Sequence, residues 1–265
     1  MANKQRSFIF NERIKYLTTP HQTWLSRNKM TCRKLKNKQK PDTMRHILVT
    51  GSTGAIGRAI SRRFKAAGWI VCGIDQFKSE DPIVDYFIKT DLNQFVVDEQ
   101  CRKYVITEVT NWLAEHTLEA LANNAAYQYV SLDHPIPANE LTKSYNVNVI
   151  APYLLITELS KYLTRKTASV VNIGSIHSRI TKPGFVPYAT TKAALAALTR
   201  GLALDYEDRF RINCIEPASV ETPMLLDGFK DYPEKKAELE SYYPQKRIST
   251  PDEIAELVFL ISSDG

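Results

Sequence analysis

The stretch VVNIGSIHSRITKPGFVPYATTKAALAALTRGLAL, residues 170–204, decides how this chain folds. Its first four residues form an apolar, largely β-branched run that predicts a buried strand. A loop marked by prolines and a glycine follows, and residues 188–204 then have the composition of a helix. Strands and helices alternate in this way along most of the chain. That order predicts a parallel sheet with helices on both faces.

Tyr188 and Lys192 stand four positions apart in the predicted helix, so their side chains lie on one face, one turn apart. A free tyrosine titrates near pH ~10, and a nearby positive charge lowers its pKa toward the useful range for proton transfer. Ser175 ends the preceding strand, where its hydroxyl can meet the phenol over one substrate oxygen. Taken alone, a Tyr and a Lys at this spacing more often form a solvated helix face.

Ser175 and the run Tyr188-Ala-Thr-Thr-Lys192 resemble the Ser and YxxxK elements of the short-chain dehydrogenase/reductase family. Further stretches resemble that family in the expected order from Met44 to the C-terminus. The resemblance implies a Rossmann-type doubly wound α/β fold in a single domain, residues 44–265, and a catalytic set of Ser175, Tyr188, Lys192 and Asn148. Family members usually continue into one more strand, which this chain is expected to lack.

A glycine-containing turn follows the first predicted strand, His46 to Thr50, and precedes a helix that stops at Gly68. Glycines there permit a tight turn and a close approach of backbone to pyrophosphate, and the helix N-terminus supplies N–H groups. The family usually has glycine where Ala55 stands, and this sequence shifts it to Gly54. The turn predicts cofactor contacts from Gly51, Ser52, Thr53, Gly54, Ile56 and Gly57.

Asp75 ends the second predicted strand, residues 69–75. A carboxylate at this position can accept hydrogen bonds from both adenine-ribose hydroxyls and repels a 2′-phosphate, so it predicts NAD over NADP. The family resemblance adds further cofactor contacts beside Tyr188 and Lys192. These are Asp91 and Leu92 at the adenine, Asn124 and Ala125 in the Asn123-Asn-Ala-Ala126 turn, and Pro217, Val220 and Thr222 at the nicotinamide carboxamide.

Two long helices are expected, at about residues 94–116 and 139–163. The second contains Pro152, which has no N–H to donate to the carbonyl of Asn148. That carbonyl is therefore expected to bind an ordered water, and the resemblance places Asn148 opposite Lys192, where such a water would relay protons. Substrate-pocket contacts are expected from His177, Phe185 and Val186. A lid is expected over residues 223–249, with Tyr242 and Tyr243 facing the pocket.

The chain has 265 residues and a net charge of +6, enough for one α/β domain. No apolar run approaches the ~18 residues that span a bilayer. The four cysteines form no CxxC pair and predict reduced thiols of a cytoplasmic protein, with no disulfide and no metal. Residues 1–43 contain 11 basic and two acidic residues. This basic extension is predicted to be disordered, or to precede a working start at Met44; a transit peptide and a basic binding arm are the alternatives.

These patterns predict an NAD-dependent oxidoreductase that interconverts a secondary alcohol and a ketone, acting on a small molecule and not on nucleic acid or membrane. A homodimer or homotetramer is expected through the helices near residues 139–163 and 188–204, because the latter carries Ala194, Leu195, Leu198 and Leu202. The alternative is an inactive NAD-binding sensor or scaffold. Alanine at positions 55, 126 and 218, where glycine is usual, favours that alternative, and the intact Ser, Tyr, Lys and Asn set opposes it.

Overall fold

The computed structural model describes residues 44–78, 83–132, 135–163, 166–227, 229–230 and 233–263, so the basic extension 1–43 lies outside the described residues. Six parallel strands form one sheet in the order β3-β2-β1-β4-β5-β6. Their bounds are β1 His46–Thr50, β2 Ile70–Asp75, β3 Tyr86–Lys89, β4 Ala120–Asn123, β5 Ser169–Ile173 and β6 Arg211–Ile215.

Nine α-helices connect and cover these strands in the described part of the chain. Their bounds are α1 Ala55–Ala66, α2 Leu92–Val97, α3 Glu99–Leu113, α4 Ala138–Tyr145, α5 Ala151–Leu159, α6 Val186–Asp205, α7 Pro223–Asp227, α8 Pro233–Ser241 and α9 Pro251–Ser262. A π-helical segment, Asn146–Ile150, joins α4 to α5, and a 3₁₀ turn, Ile176–Ser178, follows β5. The doubly wound α/β prediction is confirmed.

The sheet separates two apolar cores because successive strand side chains point to opposite faces. On β1, Ile47 and Val49 pack with α1 and α9, whereas Leu48 packs on the other face with α3 and α5. All five β1 residues are buried, as are those of β4 and β5. Burial on both faces explains why these strands are continuous apolar runs rather than alternating ones.

The strand order reverses direction between β1 and β4. From β1 the chain moves to β2 and β3 on one side, and β4, β5 and β6 fill the other side. At such a switch point the connections leave in opposite directions, which opens a crevice at the carboxyl ends of the two strands. Each predicted site residue that does not lie on a helix lies at, or after, the carboxyl end of a strand.

The helix predicted over residues 94–116 is wrong as a single element, because it divides into α2 and α3 at Asp98. Asp98 has an extended backbone, with φ −112° and ψ 112°, and its carboxylate accepts hydrogen bonds from the N–H groups of Gln100 and Cys101. An aspartate in this conformation is a helix N-cap. A new helix therefore begins where the sequence pattern was expected to continue.

The helix predicted over residues 139–163 is likewise three segments, and Pro152 lies at the second junction. The Ala151 N–H donates to the carbonyl of Asn146, five residues back, instead of four. A wider π turn accommodates a backbone that has lost one donor to proline. The predicted disruption is present, in the form of an extra residue in the turn.

The structure bears on two surface predictions, the lid and the apolar face of α6. In the region predicted as a lid, residues 223–249, the described residues include α7 and α8, and a parallel bridge pairs Val220 with Ser249 at its ends. Leu195 and Leu202 of α6 are 1% and 6% exposed, so they belong to the protein's own core and are not spare apolar surface.

Within the described residues, none of the helices has the length and apolar composition needed to cross a bilayer.

Candidate active site

The glycine turn after β1 is shaped by two positions that cannot hold a side chain. Gly51 has φ 64°, and a Cβ there would lie 2.8 Å from the Ala125 Cα. A Cβ on Gly57 would lie 2.0 Å from the Gly51 carbonyl oxygen. Gly54, by contrast, is the N-cap residue of α1 and makes no side-chain hydrogen bond to the helix. A Cβ at Gly54 would have only the Gly51 carbonyl oxygen nearby, at 3.5 Å. The turn is therefore tightly packed against β4 and open above the start of α1.

Asp75 lies against this turn at the end of β2. Its carboxylate accepts hydrogen bonds from the N–H of Thr53 at 3.0 Å and from the N–H of Phe77 at 3.1 Å. Gly73, also on β2, leaves room for Ser52, since a Cβ at Gly73 would lie 2.8 Å from the Ser52 Cβ. The structure thus brings the predicted acidic residue and the predicted phosphate turn together.

Two asparagines, Asn123 and Asn124, bridge adjacent strand ends. Asn123 donates to the Asn172 side chain at 2.8 Å, and Asn124 donates to the carbonyls of Thr50 and Gly51, both at 3.1 Å. The hydroxyl of Thr50 accepts from the N–H groups of Asn124 and Ala125 at 3.0 and 3.1 Å. Sequence reasoning missed Thr50, whose only signal was a hydroxyl residue immediately before the turn.

Three other predicted cofactor residues have structural roles of their own. Asp91 caps α2 by accepting from the N–H of Asn93 at 2.8 Å, and the Leu92 side chain is buried in the core at 6% exposure. Ile56, at the start of α1, packs partly against the core on the α1–α9 side of the sheet. Contacts from Leu92 to a nucleotide must therefore come from its backbone.

Ser175, Tyr188 and Lys192 converge where β5 ends and α6 begins. Ser175 is 7% exposed; its hydroxyl accepts from the His177 N–H at 3.2 Å and lies close enough to Tyr188 to lower the pKa of the phenol. The Lys192 ammonium lies 5.5 Å from the centre of the Tyr188 ring and donates to the Ile173 carbonyl at 2.7 Å. The three predicted side chains thus form one cluster.

Burial controls the titration of this cluster. It raises the pKa of Tyr188 above its ordinary value, and the hydrogen bond from Ser175 acts in the opposite direction. Lys192 is 2% exposed, and burial lowers its pKa to about 8, partly offset by Cys214. The sequence predicted that Lys192 would lower the tyrosine pKa; in this structure the loss of solvent raises it, and the group that lowers it is Ser175.

Asn148 is 1% exposed and contacts the helix of Lys192 one residue away from the lysine. Its side chain accepts from the Tyr127 N–H at 2.7 Å, and it donates to the Tyr127 carbonyl and the Thr191 hydroxyl, both at 2.9 Å. The amide therefore ties the π turn to the segment after β4 and to α6. Thr191, rather than Lys192, is its partner.

The turn after β6 is tied to the catalytic loop. The Pro217 carbonyl accepts from the Ile176 N–H at 2.8 Å, and Glu216 pairs with Arg179 at 2.9 Å and accepts from the Ser178 hydroxyl. Val220 is 8% exposed and forms the bridge to Ser249, and the Thr222 hydroxyl accepts from the Leu225 N–H where α7 begins. These contacts fix the predicted carboxamide turn beside Ser175.

Of the predicted pocket residues, His177 and Phe185 stack in parallel with ring centres 4.7 Å apart, next to Tyr188. Val186, the first residue of α6, is half exposed. The lid tyrosines have other partners: Tyr242 is 72% exposed and bonds Glu238, and the Tyr243 hydroxyl contacts the backbone and side chain of Ser219. Tyr243 is thus tied to the turn after β6, and a contact of either tyrosine with the substrate stays a prediction.

The described residues fit a nicotinamide dinucleotide, because the glycine turn offers open backbone above α1, with Asp75 beside it and the Ser-Tyr-Lys cluster along the same sheet edge. Residues 51–265 also match the family model described as enoyl-(acyl carrier protein) reductase. The chain belongs to the short-chain dehydrogenase/reductase family.

Particular relatives differ in their described activities. The chain is 36% identical to Protein FixR of Bradyrhizobium diazoefficiens, over 83% of this chain and 80% of that protein. It is 30% identical to the NADPH-dependent aldehyde reductase 1, chloroplastic, of Arabidopsis thaliana, over 80% and 78%. The ligand-free aldohexose dehydrogenase of Thermoplasma acidophilum superposes with a TM-score of 0.76, at 25% identity, covering 83% of this chain and 87% of that one.

Proposed function

We propose that this chain is an NAD-dependent oxidoreductase that interconverts a secondary alcohol and a ketone. The observation that carries the proposal is the cluster of Ser175, Tyr188 and Lys192, in which a buried phenol lies beside a serine hydroxyl that lowers its pKa and beside a buried ammonium. The cluster stands at the sheet edge that also holds the glycine turn. The bound dinucleotide supplies hydride transfer.

Tyr188 exchanges a proton with the substrate oxygen, and Ser175 holds that oxygen in place by hydrogen bonding. Oxidation of an alcohol needs Tyr188 in its phenolate form to accept the proton, and the phenolate fraction rises as the pKa falls toward the working pH. Lys192 holds a positive charge near the phenol, and it is the group that would contact the nicotinamide ribose. Its bond to the Ile173 carbonyl fixes the ammonium between β5 and α6.

NAD rather than NADP is proposed because Asp75 lies against the glycine turn. A 2′-phosphate placed near this carboxylate would bring like charges together with no compensating cation inside the turn. Since a relative is described as NADPH-dependent, cofactor choice is the sharpest test of this part of the proposal.

The test is turnover of a panel of secondary alcohols with each cofactor. The wild type should give a kcat/KM at least roughly tenfold higher with NAD, and Asp75→Ala should narrow that ratio without abolishing activity, since the glycine turn is unchanged. Equal use of NADP by the wild type would refute the NAD assignment. Tight NAD binding with no turnover of any alcohol would instead favour the sensor or scaffold function.

A further inference from the structure

His177 lies beside the catalytic tyrosine in a position that nothing in the proposed proton transfer uses. Its backbone N–H donates to the Ser175 hydroxyl at 3.2 Å, and its ring meets that of Tyr188 edge-on, with centres 5.7 Å apart. The imidazole is half-buried. The imidazole therefore lines the part of the active site that the reacting carbon of the substrate must occupy.

Two contacts hold the imidazole in one orientation. Its plane lies within 4° of the Phe185 ring, at a centre-to-centre distance of 4.7 Å, and its Nδ1 is hydrogen-bonded to the Thr181 hydroxyl at 3.0 Å. Stacking fixes the plane of the ring, and the hydrogen bond fixes its rotation within that plane. A side chain constrained in both ways is preorganised, because little further ordering is needed on binding.

The second ring nitrogen, Nε2, remains available. It has no hydrogen-bond partner in the part of the chain that the structure describes, and it is not one of the fully buried polar atoms that lack a partner there. Burial and the nearby Lys182 ammonium lower the pKa of His177, so the ring is neutral at neutral pH. The Thr181 hydroxyl can donate or accept, so Nε2 can present either a lone pair or an N–H.

The loop that carries His177 holds three exposed apolar side chains, and the Lys182 ammonium lies over the Phe185 ring, 4.6 Å from its centre. Ile176, Ile180 and Val186 are 39%, 67% and 50% exposed around the same loop, and they can contact a carbon skeleton but cannot bind a polar group. A neutral nitrogen that can donate or accept is best matched by a hydroxyl, which can also do both.

We infer that His177 binds a hydroxyl group on a carbon next to the reacting one, so that the natural substrate is a polyhydroxylated compound such as a polyol or sugar. This inference rests on the proposed alcohol–ketone activity and deepens it. In this arrangement His177 determines specificity, whereas Ser175 and Tyr188 act on the reacting oxygen.

The test compares ribitol, xylitol and D-arabinitol with 2-butanol, which has no neighbouring hydroxyl. We expect the wild type to have a higher kcat/KM for at least one polyol. His177→Phe preserves the stack on Phe185 but removes Nε2, and it should lower the polyol-to-butanol ratio roughly ten- to hundredfold, the loss expected from one hydrogen bond to a bound hydroxyl. His177→Gln, which keeps a hydrogen-bonding group, should recover part of the ratio.

Two further variants separate specificity from folding. His116→Phe makes the same chemical change at an exposed residue that stacks on His46, at the far end of β1, and it should leave the ratio unchanged. Binding is measured without turnover by calorimetry of polyol on the Tyr188→Phe protein with NAD, in the presence and absence of His177→Phe. The double variant should bind polyol at least roughly tenfold more weakly.

The outcomes distinguish the two proposals. If 2-butanol and the polyols are oxidised with equal efficiency, or if His177→Phe changes neither the ratio nor polyol binding, the role of His177 is refuted while the proposed function stands. If NAD binds but no alcohol of either kind is oxidised and no polyol binds, the proposed function fails, and the role of His177 fails with it.

Discussion

Lys192 is an ammonium group from which water is excluded. It is 2% exposed, and its hydrogen bond goes to the neutral carbonyl of Ile173, so the charged form is poorly compensated. Its pKa of about 8, against ~10.4 for a free lysine, measures that cost. Near pH 8 the site therefore alternates between charged and neutral lysine, in a range where the enzyme is expected to work.

This lowered pKa predicts a pH dependence of stability. Between the folded pKa, about 8, and the unfolded one, the unfolded chain binds more protons, so the free energy of unfolding rises with pH. The destabilisation caused by burying the charged form of Lys192 is fully present below pH 8 and amounts to roughly 3 kcal/mol. Urea unfolding between pH 7.5 and 9.5 should show this rise in the wild type and lose it in Lys192→Met. Parallel curves for the two proteins would contradict the prediction.

Gly57 is predicted to tolerate no side chain. A Cβ would lie 2.0 Å from the Gly51 oxygen, so Gly57→Ala must displace the turn from β1, and we expect roughly 2 kcal/mol or more of destabilisation with weaker NAD binding. Gly201→Ala is the control, because a Cβ there meets nothing within 4 Å and alanine favours the interior of α6. A melting temperature for Gly57→Ala equal to or above that of Gly201→Ala would refute this prediction.

At the scale of elements, the π turn between α4 and α5 connects the sheet to the catalytic helix through Asn148. Its amide satisfies both backbone groups of Tyr127 and reaches Thr191, the neighbour of Lys192. The π turn thus sets the distance between α6 and the segment after β4. Asn148 acts as a positioning residue in this structure, and a relay through its backbone carbonyl stays a prediction.

Asn148→Leu should lower kcat while NAD still binds. It leaves the half-buried N–H and carbonyl of Tyr127 without their side-chain partner, at a cost of roughly 1–3 kcal/mol, and releases Thr191. Thr191→Val removes one of the three bonds and should lose less stability and less kcat. The measurement is kcat, NAD affinity and urea unfolding for both variants; unchanged kcat in Asn148→Leu would exclude both positioning and relay.

The sequence predicted the disruption at Pro152 but not its form. The missing N–H is a local property, whereas the choice of a π turn depends on what Asn148 reaches across the molecule. The break at Asp98 was detectable, since an aspartate before glutamate is a common helix start. The partner of Tyr243, at Ser219, could not be predicted, because it depends on the path of a long connection.

For the whole molecule, the parallel sheet and the meeting of Gly51, Asp75, Asn124 and Ser175 at one edge followed from strand order alone. Parallel strands place all their carboxyl ends together, so any residue immediately after a strand is carried to the same crevice. Side-chain titration could not be predicted in this way. The pKa of Tyr188 depends on how fully solvent is excluded, which is a property of the packed molecule.

A homodimer is also proposed at this scale, formed through α4, α5 and α6. Leu141, Tyr153 and Leu204 on these helices are 39%, 42% and 67% exposed, although Leu195 and Leu202 are buried internally. Light scattering at micromolar concentration should give twice the chain mass, and Tyr153→Asp should shift it toward the monomer. Val97→Asp, at a residue 61% exposed at the end of α2, is the control and should remain dimeric. A monomeric wild type would contradict the proposal.

The pairing of Val220 with Ser249 makes the chain between them an excursion that leaves and returns at one point. The free energy of closing such an excursion changes by only about 0.6 kcal/mol for each doubling of its length. A change in the length of this segment therefore costs little, provided that its contacts to Ser219 and Thr222 are kept. We expect a relative's segment of different length to replace residues 223–247 with little loss of stability when its ends pair in the same way and supply those two contacts.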